Sequence, residues 1–279
     1  MKRVVVTGIG ALSPLGHDWT TVEARLKARK NAVVRMPEWQ KIDGLLTNLA
    51  APCAPFTLDE TVFHRKATRS MGRVALLATV ASHAALRQAG LLEHPVLKSG
   101  KVGVSYGSSS GSPKAIADFS SLIFKGTTQG INAFTYLKMM AHTAPVNLGV
   151  YFGLTGRMYT TCSACTSASQ GLGYGYEAIR SGAQVAMLAG GAEELDATQA
   201  AIFDTLFATS TKNETPALTP SPFDQDRDGL VLGEGACTFV LEELEHARAR
   251  GATIIAELVG FGTNTDGTHV TQPSATTMA

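Results

Sequence analysis

The chain has 279 residues, enough to bury a sizeable core in one large domain or two smaller ones. Its composition, 44% hydrophobic and 17% charged with 28 glycines, suits extensive internal packing and a large subunit interface rather than disorder, and a formal net charge of +1 gives no global attraction to nucleic acid or membrane. No stretch approaches the roughly 18 uninterrupted apolar residues of a membrane span, and four cysteines scattered along a long chain (Cys53, Cys162, Cys165, Cys237) argue against a disulfide scaffold and for a reducing cytoplasm.

The opening Met1-Lys2-Arg3-Val4-Val5-Val6 has the charged start and apolar run of a signal peptide. Thr7, Gly8, Gly10 and Pro14 break that run, so Arg3–Thr7 is read as a buried first strand. Gly8-Ile9-Gly10-Ala11-Leu12-Ser13 is a poor dinucleotide fingerprint, because Ser13 replaces the third glycine and Pro14 interrupts the helix that would receive a pyrophosphate; a tight structural turn is expected instead. Asp18 is placed to cap a helix running to Arg29. Arg65 to Gln88 reads as one long helix with Val74, Leu77, Ala78, Ala81 and Ala85 on its apolar face and Gly90 as its stop. On that helix Arg65, Arg69 and Arg73 recur at i, i+4 and i+8 with Lys66 beside them. Such a basic stripe is ordinarily a solvated face, and here it is also a candidate dock for an acidic partner.

Lys101–Tyr106 is the next strand. Gly107-Ser108-Ser109-Ser110-Gly111 after it lacks the Gly-Lys-Ser/Thr ending of a phosphate loop, and is read as a loop at the carboxyl end of a strand, where pockets of open α/β sheets lie. His142, before Thr143-Ala144-Pro145, is expected to cap or support a helix. Met158–Cys162, Gln184–Ala189, Cys237–Glu242 and Ile254–Gly260 complete the strands, and Lys212–Asp228, with Pro216, Pro220 and Pro222, is a loop. Strands alternating with helices imply an α/β layered fold.

The run Thr161-Cys162-Ser163-Ala164-Cys165-Thr166-Ser167-Ala168 stands where a strand gives way to a helix over Thr166–Arg180 that carries Gly171, Gly173 and Gly175. Each glycine costs about 1 kcal/mol relative to alanine in a helix interior, so several of them suggest a helix buried between layers, where close approach outweighs propensity. The first-turn N–H groups of a helix are unpaired and carry partial positive charge, so a cysteine there is expected to have its thiolate favoured. A free cysteine is more often a small buried hydrophobe; the strand-to-helix position makes Cys165 the candidate nucleophile instead. Cys162 and Cys165 also form a C-x-x-C, which keeps a thiol-disulfide oxidoreductase as an alternative at this point. No second C-x-x-C or histidine pair completes a zinc site. After Cys165 only His246 and His269 remain as histidines, and His269, in the polar loop Asp266-Gly267-Thr268-His269, is the better placed base on position alone.

Several runs together resemble the β-ketoacyl-acyl carrier protein synthases of types I and II, members of the thiolase-like superfamily. They are Val5-Val6-Thr7-Gly8-Ile9-Gly10 with Ser13-Pro14-Leu15-Gly16, Ser163-Ala164-Cys165-Thr166-Ser167, Ala189-Gly190-Gly191-Ala192-Glu193, and Pro222-Phe223-Asp224-Gln225-Asp226-Arg227-Asp228-Gly229 continuing to Gly233-Glu234-Gly235. The resemblance implies two related βαβαβαββ halves: residues 1–250 as a complete amino-terminal half carrying the nucleophile, and 251–279 as a second half only begun. It implies an acyltransferase in which Cys165 takes an acyl group and condenses it with malonyl-acyl carrier protein, in fatty-acid or related polyene or polyketide synthesis, without cofactor or metal. The partners it implies are an acyl carrier protein and a second subunit, in a homodimer or a heterodimer, with the strand near Met158–Cys162 close to the two-fold. The family's Asn-Ala-His-Gly-Thr and Thr-Gly-His motifs and nearby lysine do not occur here, and His269 corresponds to a loop histidine that precedes them. The chain therefore reads as a truncated copy of a full-length synthase. A second reading, a non-catalytic partner that shapes the pocket of an active subunit, is opposed by the intact Cys165, since such members lack the nucleophile.

Overall fold

Runs of buried valine, leucine and alanine arrange the chain around one mixed sheet. The computed structural model describes residues 1–269 and 274–275. In chain order its first elements are β1 (Val4–Leu12), α1 (Trp19–Lys27), β2 (Val34–Arg35), β3 (Leu49–Ala51), α2 (Arg65–Thr68), α3 (Arg73–Gln88) and β4 (Val102–Gly107). There follow α4 (Pro113–Lys125), α5 (Ala133–Met139), α6 (Thr143–Phe152), β5 (Met158–Thr161), α7 (Ser167–Arg180) and β6 (Ala186–Glu193). The remainder comprises α8 (Ala197–Asp204), β7 (Leu232–Gly233), β8 (Gly235–Glu243), α9 (Leu244–Ala249) and β9 (Ala256–Leu258).

The main sheet has the order β5-β4-β6-β8-β1-β9, and β2, β3 and β7 form a small second sheet. Strand β4 runs parallel to both β5 and β6, whereas β6–β8, β8–β1 and β1–β9 are antiparallel. Side chains alternate between the two faces. Val102, Val104, Tyr106, Ala186, Leu188 and Val240 pack with α3 and α6, and Val4, Val6, Met187, Ala189 and Leu241 pack with Tyr176, Ala178 and Ile179 of α7. The central strands β4 and β6 are covered on both faces, which is why they read as nearly continuous apolar runs.

All six predicted strands of the main sheet are present with shifted ends, and two other expectations need correction. Gly8 and Gly10 do not make a turn, because β1 continues through them to Leu12, paired with β8 and bulged between Val6 and Gly8. They are glycines because α3 lies directly on this strand: a Cβ would stand 2.2 Å from the Ala85 carbonyl oxygen at Gly8 and 2.1 Å from that of Ala81 at Gly10. The second correction concerns the long helix, which breaks into α2 and α3. Gly72 between them is extended, at φ −82° and ψ −178°, and so close to Ser112 that a Cβ would meet its Oγ at 2.1 Å. The apolar face of α3 is as expected, with Val74, Leu77, Ala78, Ala81 and Ala85 buried. Asp18 caps α1 by accepting from the Thr21 N–H at 2.9 Å, and the helix ends at Lys27, short of Arg29. His142 occupies the N-cap position of α6 but makes no side-chain capping bond.

Helix α7 rests on strand backbones as its glycines suggest. A Cβ at Gly171 would lie 2.7 Å from the Gly190 carbonyl oxygen, and one at Gly107 would lie 2.4 Å from the Ser167 carbonyl carbon. Its other side is covered in part by Phe261, which packs against Gly173 and meets Tyr174 edge-on with ring centroids 6.0 Å apart. At the far side of the sheet, β8 carries Glu242, whose side chain is fully buried. It accepts from Thr7 Oγ1 at 2.6 Å and from Arg250 Nε and Nη2 at 2.7 and 2.5 Å, and lies 2.7 Å from His246 Nδ1. This network ties β1, β8 and the end of α9 together.

Candidate active site

Because β4 runs parallel to β5 and β6, their carboxyl ends emerge on one side of the sheet, with Gly107 level with Thr161 on one side and with Gly191 on the other. The segments that follow, Ser108–Ser112, Cys162–Thr166 and the residues after Glu193, therefore converge there. Cys165 lies in a single 3-10 turn, Ala164–Thr166, that feeds directly into α7. Hydroxyl groups hold this turn. Ser163 N–H donates to Ser167 Oγ at 2.9 Å, Ser167 Oγ donates to the Ala164 carbonyl at 2.7 Å, and Thr161 Oγ1 donates to the Ser167 carbonyl at 2.8 Å. Ala164 has φ +51°, a left-handed conformation in a non-glycine residue. Conformations of that kind cost on the order of 1–3 kcal/mol and persist only where the surroundings enforce them, as they do at many reactive sites.

Cys165 is exposed and lines a cavity of about 920 Å³, within the range of small-molecule sites. Pro113, Ile116, Ile202, Phe203, Leu230 and Val231 give the cavity an apolar wall, and Ser108, Ser109 and Ser110 bound it at the end of β4. The serine run thus lies where its position after a strand suggested.

The other thiols sit differently. Burial pushes Cys53 up to about 11, with the nearby Glu234 charge adding to the effect, and burial raises Cys237 as well. Both are held as thiols, and thiolate is the nucleophilic form. Cys162 is exposed, lies outside the cavity lining, and donates from Sγ to the Ser109 carbonyl at 3.2 Å.

The predicted basic stripe is not formed as one face. Arg65 and Lys66 are exposed on the short α2; Arg69, beyond its end, lies over the Phe134 ring at 5.6 Å. Arg73 opens the next helix and, though its side chain stays partly exposed, it reaches the buried carboxylate of Glu234. Its Nε and Nη2 fork onto Glu234 at 2.5 and 2.6 Å, so this guanidinium is committed to an ion pair. His246 is bound to Glu242, and His269 is not among the cavity-lining residues described.

Two carboxylates escaped the reading of the sequence as site residues. Glu234 and Glu193 both line the cavity, and both stand in runs quoted for the family resemblance. Nothing in their spacing announces partners as distant in sequence as Arg73 or Ser109. Only the glycines beside Glu234, which let backbones close in, hinted that these were crowded positions.

A cysteine presented by a strained turn at the amino end of a glycine-rich helix, over the carboxyl ends of a mixed sheet, defines the class of thiolase-like condensing enzymes. Residues 1–247 match the family described as beta-ketoacyl synthase, N-terminal domain, and the chain belongs to that family. It is 34% identical over 276 residues to 3-oxoacyl-acyl-carrier-protein synthase 1 of Haemophilus influenzae, covering 98% of this chain and 67% of that protein. Among solved structures, a beta-ketoacyl synthase from Burkholderia phymatum STM815 is 53% identical with a TM-score of 0.97, over 100% of this chain and 68% of that one. A type II PKS ketosynthase, solved with its acyl-carrier protein, is 26% identical with a TM-score of 0.80, over 100% of this chain and 67% of that one.

Proposed function

We propose that Cys165 is the nucleophile of a decarboxylative condensation. Its sulfur attacks the carbonyl carbon of an acyl thioester, the new carbon–sulfur bond replaces the old one, and the carrier thiol leaves with a proton. Malonyl-acyl carrier protein then loses carbon dioxide. The electron pair of the broken carbon–carbon bond attacks the acyl carbon, expelling the Cys165 sulfur and giving a β-ketoacyl-carrier thioester two carbons longer. Cys165 stands at the amino end of α7, where the partial positive charge of the helix terminus favours an anion beside the sulfur. The observation that carries this reading is that Cys165 is the exposed cysteine of the cavity lining; Cys237, which also borders the cavity, is half-buried and held as a thiol by that burial, and Cys53 lies outside the lining. Incubation with octanoyl-acyl carrier protein should add one octanoyl group by intact mass, mapped by peptide sequencing to Cys165; an adduct on another cysteine, or none, rejects it.

The same reading assigns residues 1–250 to an amino-terminal half and 251–279 to the opening of a second, with β9 of the latter paired to β1. It places the protein in the cytoplasm; no helix among the described residues is long and apolar enough to cross a membrane. A homodimer would form through β5, the sheet's edge strand, where Met158 and Thr160 are exposed.

For the carrier protein we keep Arg65, Lys66 and Arg69 as the dock, with Arg73 as a residue held by Glu234 beside it. Charge reversal of Lys66 and Arg69 together should raise KM for acyl-carrier protein about five- to tenfold at low salt, through slower association. It should leave transfer from a small N-acetylcysteamine thioester nearly unchanged. Equal losses with both donors would remove the dock from this face.

A further inference from the structure

Three segments meet at the cavity, and the loop after β4 is bonded to each of the other two, on one side through Glu193. Glu193, the last residue of β6, accepts from the Ser109 N–H at 2.8 Å and also from the Ser109 hydroxyl, and Ser108 Oγ lies 3.4 Å from its other oxygen. The Ser109 carbonyl in turn accepts from Cys162 Sγ at 3.2 Å, three residues before Cys165. Ser108 N–H donates to the Thr161 carbonyl at 3.3 Å, tying the same loop to the end of β5. The loop after β4 is thus anchored by a carboxylate on one side and linked to the nucleophile segment on the other. Bonds of N–H and O–H groups to a carboxylate are roughly twice as strong as neutral ones.

We infer that Glu193 is a positioning residue for acyl-chain acceptance: it fixes the Ser108–Ser110 wall of the cavity against the Cys165 turn. This rests on the reading of Cys165 as the acyl carrier. The wall's placement matters most for a chain long enough to run along it. An acetyl group ends near the sulfur and depends on it little, whereas a displacement near 1 Å in a positioned site can cost about a hundredfold in rate.

The test compares wild type, Glu193→Ala and Glu193→Gln in the full chain. Transfer to Cys165 is measured from acetyl- and octanoyl-acyl carrier protein, and hydrogen exchange over residues 108–111 is followed by mass spectrometry. Glu193→Ala should lower octanoyl transfer at least about tenfold, lower acetyl transfer less than about threefold, and speed exchange of the Ser109 amide. Glu193→Gln, whose carbonyl still accepts from the Ser109 N–H, should lie between it and wild type on both readouts. Equal losses for the two acyl groups, or unchanged exchange at 108–111, would overturn the inference. If the alanine variant does not fold, the glutamine variant decides alone, and octanoyl transfer and exchange both equal to wild type would overturn it. If wild type accepts neither acyl group, the reading of Cys165 fails first. The exchange measurement then still shows whether Glu193 holds the loop, but the assignment to acyl-chain acceptance falls with the reading it rests on.

Discussion

Cys165→Ala should abolish formation of the covalent acyl-enzyme and cut condensation by about a thousandfold or more, as losses of a covalent nucleophile do. The variant should fold as well as wild type, because Cys165 is exposed and the turn is held by Ser163, Ser167 and Thr161 rather than by its sulfur. Intact mass after incubation with octanoyl-acyl carrier protein measures the adduct, and the urea midpoint checks folding. Cys162→Ser is the matched control. A hydroxyl there can still donate to the Ser109 carbonyl, so acylation should persist within about threefold. An adduct retained in Cys165→Ala would overturn the assignment. Loss of acylation in Cys162→Ser equal to that in Cys165→Ala would point back to the dithiol alternative.

Arg250→Ala should be the most damaging substitution away from the cavity, at about 3–5 kcal/mol, because it leaves the Glu242 charge buried without its principal partner. Burial by itself disfavours ionised Glu242. Hydrogen bonds from Arg250 and Thr7, the attraction of the Arg250 charge and the bond to His246 together outweigh that, and hold the carboxyl below the usual range. A carboxyl lowered in the folded state stabilises it fully above its unfolded value of about 4.3, and the contribution is lost as pH falls through the lower folded value. Urea unfolding of wild type should therefore weaken at acid pH. The gap between wild type and Arg250→Ala should shrink there too, since protonating Glu242 relieves the stranded charge. A difference below about 1 kcal/mol at pH 7, or one that does not narrow with acid, would show that the network does not carry this load.

How much of this was legible depended on whether the signal was local. Strands β4, β6 and β8 read clearly because apolar runs bounded by turn residues need no knowledge of the rest of the chain. Asp18 and the face of α3 read for the same reason. Cys165 was found by its place between a strand and a glycine-rich helix, again a local pattern. The errors came where a distant element decided. Gly8 and Gly10 serve α3, which packs on them from some seventy residues away, so a strand here carries the local signal of a turn. Gly72 yields to Ser112, so one helix became two. Arg73 looked like a member of an i, i+4, i+8 stripe until Glu234, far along the chain, claimed its guanidinium. Pairings of this kind leave no periodic trace.

The close seat of α7 on bare backbone, main chain against main chain at Gly107 and Gly171, separates two tasks that a single scaffold might have confused. Reshaping the apolar wall at Ile116, Ile202, Phe203 and Leu230 leaves the reactive atom where it was, since none of these residues belongs to the turn that holds it or to the backbone seat beneath that turn. A lineage can thus trade one cargo length for another by small surface edits to the chamber, while the mount itself tolerates almost no change.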